Sequence, residues 1–321
     1  MKLIVGAYAS APSNYAWNKE EESNYYDALK SNDAIDGLEI PFTSKLHSYD
    51  EQWYLNMLIA KWTYVLTCIP GTMMELNQDI SFGLASNQAA GREKAMRFYK
   101  GAAEAIVTIN KHLNKQAVTH VLIHTAPANP LYRCDKALEK SLLELCTYNW
   151  HGAKLLIEHC DSWHPKKPFE KGFMDLESEL AVVNKVNQEA KCRIAFSLNW
   201  GRSAIEFQSK LGVIEHIKAC NSEKLLNGFI FSGASASSDI YGKWHDSHMP
   251  PSLEPLKDPT LEDSELDTQA IKDSINELNL STLDFIGCKI SLLPTSRTTE
   301  EKIKCIHDTV AVIKNALVEA I

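Results

Sequence analysis

The chain has 321 residues, long enough for one α/β barrel or two smaller domains; at 45% hydrophobic and 23% charged it reads as a folded globule, not a disordered chain. No apolar run approaches the ~18 residues of a membrane span, and the opening "KLIVGAY" is too short for a signal peptide, so a cytoplasmic protein with no membrane partner is expected. A formal net charge of −8 without a Lys/Arg cluster argues against nucleic acid, because duplex binding displaces counterions with basic side chains.

Taken in order, the chain alternates short apolar runs with helix-like stretches. A first strand is expected at "LIVGAYA" (3–9), then a helix at "YYDALKSN". The second strand is "AIDGLEIPF" (34–42); "EQWYLNMLIA" leads into the third, "WTYVLTCI" (62–69). A long connection follows at about 70–90. "REKAMRFYKGAAEAIVTINKHLNK" precedes strand four, "VTHVLIHTA" (118–126), and "KALEKSLLELCTYNWHGA" precedes strand five, "KLLIEHC" (154–160). "ESELAVVNKVNQEA" leads to "CRIAFSLNW" (192–200), and "RSAIEFQSKLGVIEHIKACN" to "LLNGFIFSG" (225–233). A second long connection, 233–265, reads as a flap. Then come "DTQAIKDSINELN", the eighth strand "FIGCKISLL" (285–293), and a last helix with a capping-box pattern at Thr298 and Glu301.

Near-continuous apolar strands are those of a parallel sheet covered on both faces. Eight strand–helix units, with no Gly-rich phosphate fingerprint after the first strand, predict a (β/α)8 TIM barrel filling residues 1–321 as one domain. The eight cysteines are scattered without a C-x-x-C pair and are read as buried free thiols.

Such barrels build their sites at the C-terminal ends of the strands. The strands here offer Glu39, His124, Glu158, then Asn199, Trp200 and Arg202, and finally Lys289, while the loop after strand seven carries "HDSH" with His245, Asp246 and His248. Polar groups at these positions displace apolar packing, and a buried charge is costly unless paired. Glu158 stands out, since it closes the apolar run "LLIE" and needs a cation, a metal or a raised pKa there.

With "DGLEIPF", "LLIEHCD", "FSLNWGR" and "HDSH" in this order, the chain resembles the xylose-isomerase-like TIM barrels, the sugar phosphate isomerase/epimerase superfamily. The resemblance implies a metal-ligating glutamate at Glu158 and a D-x-H ligand pair at Asp246 and His248. It implies an aspartate and a histidine where Asn199 and Arg202 stand, and a glutamate where Lys289 stands. Two basic side chains have thus entered positions that face a cation in the superfamily. They would repel a divalent ion and could neutralise Glu158 and Asp246 in its place. The expectation is therefore a site without a metal; were one retained (Mn, Zn, Co or Mg), its ligands would be Glu158, Asp246, His248 and His124.

The resemblance implies a carbohydrate enzyme of the isomerase/epimerase type. Glu158, His248 and Asp246 would move protons, Lys289 and Arg202 would stabilise an oxyanion, and Glu39, His124, Asn199, Trp200 and His245 would bind the sugar. Two alternatives stay open: a lyase or hydrolase acting on an acidic or modified sugar or glycoside, and a sugar-binding barrel without catalysis. A small carbohydrate is the expected partner, and the chain could form a homo-oligomer.

Overall fold

Eight parallel strands pair in chain order and close on themselves as a barrel: β1 (Lys2–Val5), β2 (Gly37–Pro41), β3 (Thr63–Thr67), β4 (Val118–Ile123), β5 (Lys154–His159), β6 (Ala195–Asn199), β7 (Leu226–Phe231) and β8 (Phe285–Cys288). The computed structural model describes residues 1–12, 16–254 and 256–320. Among them are ten α-helices: α1 (Lys19–Lys30), α2 (Glu51–Met57), α3 (Ile69–Gln78), α4 (Ala89–His112), α5 (Asp135–Leu145), α6 (Leu176–Glu189), α7 (Trp200–Phe207), α8 (Leu211–Ser222), α9 (Thr268–Glu277) and α10 (Thr299–Glu319). This is the expected (β/α)8 fold. No helix among the described residues is long and apolar enough to cross a membrane.

All eight expected strands are present, each shorter than its apolar run. In β4 and β8 the excess residues lie past the C-terminal end, which puts His124 and Lys289 one residue beyond these strands. Helix starts follow side-chain caps: Asn18, Asp50, Asp175 and Asp267 each accept a backbone N–H in the first turn of α1, α2, α6 and α9. The capping box at Thr298 and Glu301 opens α10 as the pattern predicts.

Three features depart from the sequence reading. The 70–90 connection holds a helix, α3, whose Ile69, Met73 and Leu76 pack on Ala126, Cys160 and Phe173. The stretch after β6 is two helices, since Gln208 takes a left-handed conformation (φ 52°) at the C-cap of α7. And the free-thiol reading fails for two cysteines: Cys146, the C-cap of α5, is bridged to Cys192 across 46 residues of sequence. Local periodicity carries no information about that contact. Of the six remaining thiols, five are buried and Cys134 is exposed.

Contacts divide the chain into two compact units, Met1–Leu38 with Leu198–Ile321, and Glu39–Ser197. In the first, the 233–265 loop is anchored: Gly233 bridges Met249, Ser235 bridges both Lys243 and Ser264, and Tyr241 and Met249 are buried.

Candidate active site

In the unit Glu39–Ser197, the polar residues at the strand ends form a dry cluster. Glu158 lies in β5 and His124 directly after β4, both fully buried, with His124 Nε2 2.8 Å from Glu158 Oε2. The Thr67 hydroxyl at the end of β3 lies 3.5 Å from the same oxygen, a weak contact. Tyr99 of α4 fixes the His124 backbone, its hydroxyl accepting the His124 N–H at 3.1 Å. Burial, and then the Glu158 carboxylate, push the Cys68 thiol well above its usual range, so Cys68 stays a neutral wall of this cluster. Glu39 is buried in β2.

A carboxylate and an imidazole sharing a short hydrogen bond away from water make a competent acid/base pair. The imidazole can donate to the carboxylate while neutral or pair with it when protonated.

The unit containing the chain ends holds a second cluster. Asn199 ends β6 and caps α7, its side-chain oxygen accepting the Arg202 N–H at 3.3 Å. Gly201 lets this turn come close, because a Cβ there would sit 2.5 Å from the Ser232 carbonyl oxygen. The Arg202 guanidinium, 1% exposed, donates through Nε to Asp246 Oδ2 at 3.3 Å. The other oxygen, Oδ1, lies 3.2 Å from His248 Nδ1, and the Ser232 hydroxyl is 2.9 Å from the same nitrogen.

Serine and aspartate on one ring nitrogen exclude a Ser–His–Asp relay, which passes the proton across the ring between opposite nitrogens. His248 itself is held in the left-handed region (φ 55°), a conformation that costs a non-glycine residue energy, and its carbonyl accepts the Ser291 N–H at 2.7 Å.

Lys289 follows β8 and is fully buried, its Nζ 5.7 Å from the centroid of the Tyr8 ring. Gly6 makes room for its stem: a Cβ at residue 6 would meet Lys289 Cγ at 2.7 Å.

Of the predicted site residues, His124 and Glu158 are brought together in one unit, and Asn199, Arg202, Asp246 and His248 in the other. Two of the predicted sugar-binding residues are placed otherwise. Trp200 is packed into the wall, its indole N–H donating to Ser274 of α9 at 3.2 Å. His245 is exposed at a turn, where its carbonyl accepts the Ser247 N–H. Tyr99 and Thr67 were not predicted: inside a helical pattern and an apolar strand, each reads as ordinary core.

The superfamily resemblance implies a divalent metal, and the donors of the chain-end cluster do not fit one. Asp246 is committed to a guanidinium and the Asn199 oxygen to a helix N–H. By that resemblance, the buried Arg202 and Lys289 stand where ligands are expected.

Comparison with solved structures finds xylose-isomerase-like barrels. The 3-keto-D-glucoside 4-epimerase of E. coli is 12% identical, with 98% of this chain and 100% of that one covered and a TM-score of 0.55. A xylose isomerase domain containing protein of Salmonella typhimurium is 8% identical, with 98% and 97% covered and a TM-score of 0.57. At such identities the likeness is one of fold. In sequence, an uncharacterized protein of Salmonella typhimurium is 29% identical over 316 residues, 98% of this chain and 97% of that protein. Residues 4–305 match the model of the domain of unknown function DUF4862, and with a xylose-isomerase-like TIM barrel as its fold the chain belongs to that family.

Proposed function

We propose that the chain is a carbohydrate enzyme that moves a proton next to a sugar carbonyl, as isomerases and epimerases do, using protein groups in place of a divalent metal. The observation carrying this reading is the fully buried His124–Glu158 pair at 2.8 Å. The fold shared with a 3-keto-D-glucoside epimerase supports it at the level of reaction class.

In this reading Glu158 takes the proton from the carbon beside the carbonyl. The C–H electron pair becomes the C=C bond of an enediolate, and the carbonyl oxygen takes up the negative charge. Lys289 and Arg202 stabilise that oxygen, worth about 10²-fold or more in rate for one well-placed donor. His248 returns a proton, through Nε2, to complete the product. Asp246, bound to Arg202 and His248, orients both, while His124 holds the Glu158 carboxylate and Glu39 binds a hydroxyl.

A second reading, a lyase or hydrolase acting on an acidic sugar, is favoured by the same buried cations, since arginine suits a carboxylate or phosphate.

The test is a panel of neutral aldoses and ketoses, hexuronates and sugar phosphates in D2O, followed by NMR for loss of the proton beside the carbonyl. The proposal predicts exchange with at least one sugar, lost on Glu158→Gln and reduced about 10²-fold by Lys289→Met with the fold intact. Exchange unaffected by Glu158→Gln would refute it; bond cleavage of acidic sugars without exchange would establish the second reading.

A further inference from the structure

Glu179, in the first turn of α6, is a fully buried carboxylate to which the proposed chemistry assigns no task. Its two oxygens serve two different strands. Oε1 accepts the Thr125 hydroxyl at 2.5 Å, and Oε2 lies 2.7 Å from His159 Nδ1. Thr125 is the chain neighbour of His124, and His159 that of Glu158. Consecutive residues of an extended chain face opposite sides, so a contact on one side constrains the side chain on the other.

The four residues thus form two chain-adjacent pairs, closed in front by the His124–Glu158 hydrogen bond and behind by one carboxylate. Thr125, His159 and Glu179 are each at most 1% exposed, so no water competes for these bonds. The carboxylate sits in the first turn of a helix capped by Asp175, where the helix dipole favours negative charge. Arg133 is close enough for the Asp175 and Glu179 carboxylates to oppose the lowering of its own pKa by burial.

We infer that Glu179 is a positioning residue: it ties the ends of β4 and β5 together from behind and so sets the spacing of the proton-transferring pair. The inference rests on the reading of His124 and Glu158 as that pair. Displacing reacting groups by ~1 Å can cost about 10²-fold in rate without touching binding. A structural role alone would lower stability and leave turnover per folded molecule unchanged.

The test compares Glu179→Gln, Thr125→Val, His159→Leu and His159→Asn with wild type, on whichever panel sugar exchanges fastest. Glu179→Gln and His159→Leu are expected to lower kcat about 10- to 100-fold with KM within twofold. His159→Asn, whose amide nitrogen replaces Nδ1, restores most of the rate, and Thr125→Val falls between.

A substrate-free readout accompanies it: in 15N-histidine spectra the His124 Nε2 resonance shifts in Glu179→Gln, whose wild-type hydrogen bonds go to Thr125 and His159. A Glu177→Gln control leaves it in place. Unchanged kcat in Glu179→Gln together with loss of exchange in Glu158→Gln overturns the inference and spares the reading. An unmoved His124 resonance overturns the inference on its own, and exchange that survives Glu158→Gln removes the reading.

Discussion

Arg202 and Asp246 form an ion pair at 3.3 Å. Both side chains are nearly buried, and removing one partner of such a pair strands a charge at a cost of about 3–5 kcal/mol. Arg202→Met is therefore expected to destabilise the fold strongly in chemical denaturation, and Arg202→Met with Asp246→Asn to recover most of the loss. Equal losses in the single and double variants would mean that the pair is not coupled. Gly6 is the second such position. Gly6→Ala must push the Lys289 stem aside, so exchange should fall more than stability; a full rate with lowered stability would show that Lys289 needs no fixed position. A surface pair gives a pH prediction. The Lys94 ammonium, with Ser81, holds Asp79 down at about 2. A depressed carboxylate stabilises the fold above its unfolded pKa and loses that contribution as pH falls through the folded value. The melting-temperature gap between wild type and Asp79→Asn should hold at pH 6 and shrink between pH 4 and pH 2; a constant gap would contradict the assignment.

At the scale of elements, the sequence shows where structure begins more clearly than where it ends. Caps at Asp50, Asp175, Asp267 and Thr298 are local chemistry, readable from residue type and spacing, whereas α1 begins six residues before the expected "YYDALKSN", at the Asn18 cap, because its first turns are polar. Thr298→Ala should cost about 1 kcal/mol in denaturant titration, and no loss would mean that the box contributes nothing. α3 was not legible, because Pro70 and Gly71 look like turn residues although proline fits the first turn of a helix. The break at Gln208 was hidden too: a left-handed glutamine has no compositional signal. The Cys146–Cys192 bridge joins the end of α5 to the segment before β6, a pairing set by tertiary contact alone. In the chain-entropy account a loop of 46 residues makes such a bridge worth about 4 kcal/mol, so reductant should lower the melting temperature by several degrees. An unchanged melting temperature, with eight free thiols by mass spectrometry, would contradict the bridge.

For the molecule as a whole, the barrel was legible because eight apolar runs alternate with helical patterns, and that rhythm has few other solutions. The buried polar residues of the candidate site were legible in part. A carboxylate ending an apolar run, as Glu158 does, or a lysine directly after one, as Lys289 does, is visible without coordinates because burial makes it expensive. What such residues touch was not visible: Asp246 with Arg202, Ser232 on His248, and Glu179 behind the His124–Glu158 pair are long-range contacts. The account stands on cationic side chains doing the work of an ion. The direct measurement is proton exchange by protein dialysed against chelator, on the same sugar panel in D2O, before and after addition of Mn²⁺, Zn²⁺ or Co²⁺. The account predicts the full rate in chelator and no gain from any metal. Exchange that vanishes in chelator and returns with one stoichiometric equivalent of a divalent cation would contradict it.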